Sequence, residues 1–169
     1  MEAKIRDRHK DIIEGLHRGI KQNFLTSGHL IPAVFLLDHE GKVSILLCPI
    51  LSSDGDKENL ARAVRSLAFR LKAIGIIMAL EAWKCGLEGY KISGKVSEAP
   101  DKQEVIMIQE EYLDGEYATV HKIVRDVDEV SLIEGKLQTG ATDKKSRFYN
   151  LLSKPTDEDF DRLMKKARG

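Results

Sequence analysis

Segment 75–85, GIIMALEAWKC, sets a carboxylate, Glu81, into an apolar strand-like run two residues ahead of the chain's only tryptophan, Trp83. A charge on such a strand needs a partner or a chemical task, because burying it alone is costly. Further acids and bases stand in reach. If Glu81 and Trp83 end one strand and Glu104 begins its antiparallel neighbour, the connection between them brings Asp101 and Lys102 to the same end of the sheet. Taking Asp114-Gly115 as a two-residue turn pairs Leu113 with Glu116, and counting back sets Glu104 opposite Arg125 and Ile108 opposite His121. The candidate cluster is therefore Glu81, Trp83, Asp101, Lys102, Glu104, His121 and Arg125.

Two kinds of chemistry fit those residue types. As a structural device, Glu81 and Glu104 form hydrogen-bonded ion pairs with Lys102 and Arg125 while Trp83 covers the sheet end. As a site, two or three carboxylates and a lysine could hold a divalent ion for phosphodiester hydrolysis. The spacing speaks against the second, since no strand here offers an acid and a lysine two apart near another acid; Glu134-Gly135-Lys136 does, but far along the chain from Asp101. A third reading makes Trp83 and the 86–103 loop a groove for a peptide or small-molecule ligand.

The five histidines show no metal-ligand spacing. His9 and His17 lie two helical turns apart, too far for one ion, and read as partly buried helix residues. His29 and His39 fall in turns, and His121 alternates with Thr119 and Ile123 on a strand face, where a satisfied sheet histidine is expected. No GxSxG, P-loop, GxGxxG or HExxH pattern is present, and neither a metal nor another cofactor is expected.

The elements that position these residues follow from periodicity. Ile12, Leu16, Ile20 and Phe24, flanked by Ile5 and Ile13, predict a helix over 4–24 that ends before Ser27. Two apolar runs joined by Asp38-His39-Glu40-Gly41 predict a hairpin, and the all-apolar run 33–37 suits a strand covered on both faces. Ser52 and Ser53 cap a helix carrying Leu60, Val64, Leu67 and Leu71, with Gly75 as its left-handed terminator. Strands follow at 76–85, 104–113 and 116–126, with a further run at 130–137. The 86–103 loop is long for a compact domain. The polar stretch from 138 leads to a closing helix with Thr156 as its N-cap and Phe160 and Leu163 on a narrow docking face.

These segments predict one α+β domain over 1–169: the N-terminal helix 4–24, a core of sheet and helix over 31–137, and the polar segment with its C-terminal helix over 138–169. The sheet is expected to be mostly antiparallel, five- or six-stranded, with helices on its faces. By element order it is similar to profilin and roadblock domains, which implies strand order 2-1-5-4-3 and a role in binding or dimerisation. EAW at 81–83 and PDKQEV at 100–105 also resemble a family of uncharacterised bacterial and phage proteins, in which an apolar strand ending Glu-Ala-Trp precedes a Pro-x-x-Asp-Arg-x-Glu-like segment. The likeness extends over roughly 28–130. Lys102 stands where that pattern has arginine, so a role needing a bidentate fork does not transfer. The family implies no activity.

Formal net charge is zero, which argues against a surface built for polyanions, so a nucleic-acid partner is not expected. The charges are nevertheless segregated. Residues 98–134 hold 11 acids against 3 Lys/Arg, whereas 136–169 hold 9 Lys/Arg against 5 acids, a pattern that favours a homo-oligomer. Cys48 and Cys85 lie in apolar runs and read as small core residues in a reducing compartment. The start, MEAKIRDRHKD, is charged throughout, and no stretch reaches the ~18 apolar residues of a membrane span. The sequence thus reads as a soluble cytoplasmic binding or regulatory module, non-enzymatic and self-associating, with a metal-dependent hydrolase or nuclease as the alternative.

Overall fold

A computed structural model describes residues 2–48, 53–86, 91, 94, 98–140 and 151–152. The closing helix expected within 138–169 and most of the 86–103 loop lie outside those residues. The fold is α+β. Helices α1 (Ile5–Arg8), α2 (Lys10–Ser27) and α3 (Asp54–Arg70) pack on a sheet formed by β1 (Ala33–Leu37), β2 (Val43–Leu47), β3 (Gly75–Lys84), β4 (Gln103–Tyr112), β5 (Gly115–Arg125), β6 (Val130–Ile133) and β7 (Gln138–Thr139). All strand pairs are antiparallel, in the order β2-β1-β3-β4-β5-β6, with β7 pairing on β5.

The strand order departs from 2-1-5-4-3. After the β1–β2 hairpin, α3 carries the chain back across β1, so β3 pairs with β1, and the later strands follow as neighbours in chain order. Short connections between β4 and β5 and between β5 and β6 leave no long return that could bring β5 beside β1.

Alternation divides the apolar side chains between two layers. Ile13, Ile20 and Phe24 of α2 pack on Leu37, Ile77, Ala79, Ile106 and Ile108. Leu60, Val64 and Ala68 of α3 pack on Val34, Leu36, Ile76 and Met78 across the sheet. β1 contributes to both, as its unbroken apolar run requires. Phe24 and Ile13 are fully buried, each stabilising the fold by about 1.5–3 kcal/mol relative to an exposed side chain. Ile12, expected on the buried stripe, sits at its margin, 36% exposed.

Three local expectations are corrected. The first helix breaks at His9 and continues through Ser27, where Gly28 (φ 75°) closes it and the Thr26 and Ser27 hydroxyls bond back to the Gln22 and Asn23 carbonyls. Gly75 does not terminate α3; it opens β3, and Lys72 takes the positive φ (52°). Glycine is needed at 75 because a Cβ there would stand 2.6 Å from the Tyr112 ring. Finally, the β4–β5 turn is Leu113-Asp114, and Tyr112 pairs with Gly115. Asp114 is held out of the ladder by accepting the Ile5 backbone N–H at 2.8 Å. The register therefore slips by two, setting Ile106 rather than Ile108 opposite His121. An even slip keeps every side chain on its expected face.

Candidate functional site

At the end of the sheet where β3 finishes and β4 begins, Glu81, Trp83, Glu104 and Arg125 share the face that carries α2, but they do not converge on a common point. Glu81 accepts the Leu30 backbone N–H at 2.6 Å, fixing the chain between α2 and β1. That donor replaces the Lys102 or Arg125 partner expected from sequence. Arg125 instead grips Glu104 through Nε (2.8 Å) and Nη2 (2.6 Å) and donates to the Gly28 carbonyl at 3.1 Å. It thereby joins β4 and β5 to the end of α2, with its guanidinium 5.7 Å from the centre of the Phe24 ring. The arginine hydrogen bond holds the Glu104 carboxyl below the usual carboxylate range. Lys102 stands 4.9 Å over the Trp83 ring. Asp101 accepts the Gly86 N–H at 2.8 Å across the base of the loop. Among the described residues, no three His, Cys, Asp or Glu side chains are grouped to hold a metal ion.

The more unusual chemistry lies mid-sheet. Glu110 shares the buried phase of β4 with Ile106, Ile108 and Tyr112, and its side chain is 0% exposed. Arg6 reaches it from α1, with Nε 2.7 Å from Oε2, and His17 reaches it from α2, with Nε2 2.7 Å from Oε1. Burial alone would push the Glu110 carboxyl up, but hydrogen bonds and charge from His17 and Arg6 outweigh it and hold the group below its ordinary value. Arg6 also lies 5.4 Å from the centre of the Tyr117 ring. A buried carboxylate thus ties both N-terminal helices to the centre of the sheet.

Next to this trio the ladder on β5 is irregular. β6 pairs with Lys122 to Arg125 and β7 with Tyr117 and Ala118, so four residues, Glu134 to Leu137, span the interval that three, Thr119 to His121, span on β5. This is a β-bulge, with one extra residue on the outer strand. Gly135 makes it feasible, since a Cβ there would stand 1.9 Å from the Val120 carbonyl oxygen. The Gly135 N–H donates to His121 Nδ1 at 3.0 Å, which leaves the proton of the neutral ring on Nε2. Burial holds the His121 pKa below its ordinary value despite the nearby Glu134 charge. His121 is 2% exposed, and its Nε2 has no hydrogen-bond partner.

The bulge and α2 enclose a crevice of about 290 Å³ lined by Arg6, His17, Arg18, Lys21, His121 and Glu134, among others. Lys21 Nζ meets Glu134 Oε1 at 2.7 Å, and Glu134 Oε2 lies 4.0 Å from His121 Nδ1. The hydrogen bond from Lys21 lowers the Glu134 pKa. His121, read from sequence as part of the sheet-end cluster, belongs to this crevice. Glu110, Arg6 and Lys21 are not among the sequence candidates, His17 is read there only as a partly buried helix residue and Glu134 only for its spacing from Lys136, although two signals mark Glu110 and His17. Glu110 falls on the apolar phase of its strand, and His17 lies four residues after Ile13 on the buried side of α2.

A third feature is the sheet margin. β2 is an edge strand whose Ile45 and Leu47 are 61% and 65% exposed, with Ile31 nearby at 59%. Its sequence, VSILL, contains no charge or proline of the kind that blunts open edges. Cys48 follows it, buried and unpaired; Cys85 is unpaired and partly exposed. No described helix is long and apolar enough to cross a membrane. The chain matches no protein-family model, no curated protein and no solved structure.

Proposed function

We propose that this protein is a non-enzymatic binding module that self-associates through the β2 edge. The observation that carries the reading is the uncharged, apolar edge strand with Ile45 and Leu47 turned to solvent. A second copy satisfies such an edge well. Antiparallel β2–β2 pairing about a two-fold axis continues the sheet, uses the outward backbone groups of both strands, and brings each Ile45 and Leu47 against its symmetry mate. The sheet-end acids support the non-enzymatic part of the reading. Glu81, Asp101 and Glu104 each hold a backbone N–H or an arginine rather than facing an open cleft together.

Analytical ultracentrifugation tests this. The full chain should sediment as a dimer at micromolar concentration, and Ile45→Lys should weaken association by at least about tenfold while leaving unchanged the unfolding midpoint measured at dilutions where the parent is dissociated. The salt dependence separates two causes. Edge pairing through apolar contacts persists at 1 M NaCl, where the Debye length is about 3 Å, whereas attraction between the acidic 98–134 segment and the basic 136–169 segment is screened away. A dimer unaffected by Ile45→Lys, or a monomer at all concentrations, would overturn the proposal.

A further inference from the structure

The crevice between α2 and the bulge opposite β5 combines features that no structural role accounts for together. Its donors outnumber their fixed partners. Arg18 makes no ion pair among the described residues, although it lines the crevice. Among the described residues Lys21 is held only by Glu134, whose side chain is 67% exposed. The His121 imidazole, fixed by the Gly135 N–H so that Nε2 is the donor, is almost wholly buried with that donor unsatisfied. An orphaned buried donor costs roughly 1–3 kcal/mol, and because Nε2 is closed to solvent as the ring stands, a small shift of the imidazole toward an acceptor in the crevice would recover that cost.

The neighbouring acids do not cancel these donors. Glu110 is engaged by Arg6 and His17, and Glu14 lies 3.8 Å from Lys10. Two acids line the crevice, Glu14 and Glu134, and among the described residues only Glu134, set there by the bulge, forms an ion pair with one of its lysines or arginines. An ion pair this exposed is worth about 0.2–1 kcal/mol, so an incoming anion exchanges for it at little cost. The volume, about 290 Å³, is just below the usual lower bound for ligand pockets, about 300 Å³, which suits a small occupant.

We infer that this crevice binds a small oxyanion, which replaces the Glu134 carboxylate on Lys21, engages Arg18, and accepts the Nε2–H of His121 once the ring shifts toward it. Glu134 then acts as a tethered competitor that covers the site when it is empty. An oxyanion with several acceptor oxygens, such as a phosphate monoester, can satisfy both cations and the imidazole at once, whereas a carboxylate has oxygens for fewer of them. This site is separate from the β2 edge, so its failure leaves the self-association proposal standing, and the reverse also holds.

The test is a titration of inorganic phosphate into isotope-labelled full-length protein, followed through the His121 ring signals by NMR, with sodium chloride at matched ionic strength as the control. Phosphate should shift the His121 signals saturably and chloride should not. Glu134→Gln removes the competitor from an exposed position and should tighten phosphate by about two- to fivefold, the equivalent of losing an exposed ion pair. Lys21→Ala should weaken it by about tenfold or more, the scale of a charged hydrogen bond. Acetate serves as the second probe. Weaker acetate binding supports engagement of both cations, and equal binding supports carboxylates as the class taken. Unmoved His121 signals, or identical phosphate affinity in the parent and Glu134→Gln, would overturn the inference.

Discussion

Glu104 and Glu110 stand on the same face of β4, and each meets an arginine at about one hydrogen-bond length, yet the two pairs occupy different solvents. Glu110 is sealed under α1 and α2 with a side-chain exposure of 0%, while Glu104 and Arg125 retain 24% and 37% at the sheet end. The inner pair recruits a second partner, His17, because a buried carboxylate must use its acceptor capacity on protein donors. The outer pair shares its duties with water, and its arginine is free to donate to the Gly28 carbonyl as well. The same two residue types thus anchor helices to the sheet at one place and trim a loop at the other. Depth, rather than chemistry, sets the difference.

The largest expected effect comes from emptying the inner site. Glu110→Ala leaves Arg6 and His17 facing a buried void and should lower stability by about 3–5 kcal/mol, the scale for breaking one side of a buried pair. Urea melts with an unchanged m-value would check it. Glu110→Gln keeps an acceptor and the shape, and it exposes the pH dependence. Because the folded pKa lies below the unfolded one, near 4.3, the carboxylate's contribution is present above that value and is lost as pH falls through the folded pKa. The stability gap between the parent and Glu110→Gln should therefore be widest near neutral pH and shrink on acidification. A gap that does not change between pH 7 and pH 3 would show that the inner pair is no more ionic than its shape.

The contrast also shows which parts of the molecule were legible in the sequence. The β1–β2 hairpin was, because Asp38 accepts the Glu40 and Lys42 N–H groups and Gly41 takes φ 86°, local chemistry that needs no tertiary context. The Ser53 cap was legible for the same reason, as was the embedding of β1. The sheet-end pair of Glu104 and Arg125 survived a register error of two because an even slip preserves faces and long side chains reach diagonally. The inner site was not legible as a unit. Arg6 and Glu110 lie 104 residues apart, and only the packing of α1 on β4 brings them together. Strand order was misjudged because element order alone does not decide which strand the crossing α3 delivers beside β1. The bulge opposite β5 has a sequence trace only in Gly135, whose need for close approach to Val120 is a tertiary fact.

Glu81 lies between the two extremes and sharpens the comparison. Its single fixed bond, to the Leu30 N–H, is charge-assisted but partly exposed, so Glu81→Ala should cost about 1–2 kcal/mol rather than the several expected for a buried pair. Amide exchange at Leu30 should rise in the variant, since that N–H loses its acceptor. A loss above about 3 kcal/mol would place Glu81 with the buried carboxylate and remove the graded dependence on depth.

The smallest effect is expected for the outer pair, and a double-mutant cycle isolates it. Arg125→Ala should destabilise more than Glu104→Ala, because the arginine also donates to Gly28 and covers part of the Phe24 ring. Those extra losses cancel in the cycle, leaving the coupling between the two charges. Measured pairs of this exposure give about 0.2–1 kcal/mol, and the two-pronged grip on Glu104 favours the upper end. Repeating the cycle at 1 M NaCl should reduce the coupling, since water and salt reach both groups. At the inner site the same salt jump should leave the Arg6–Glu110 coupling nearly unchanged, because ions do not enter the contact. Equal salt sensitivity at the two sites would mean that α1 and α2 do not seal Glu110 in solution, and the distinction between an inner anchor and an outer clasp would fail.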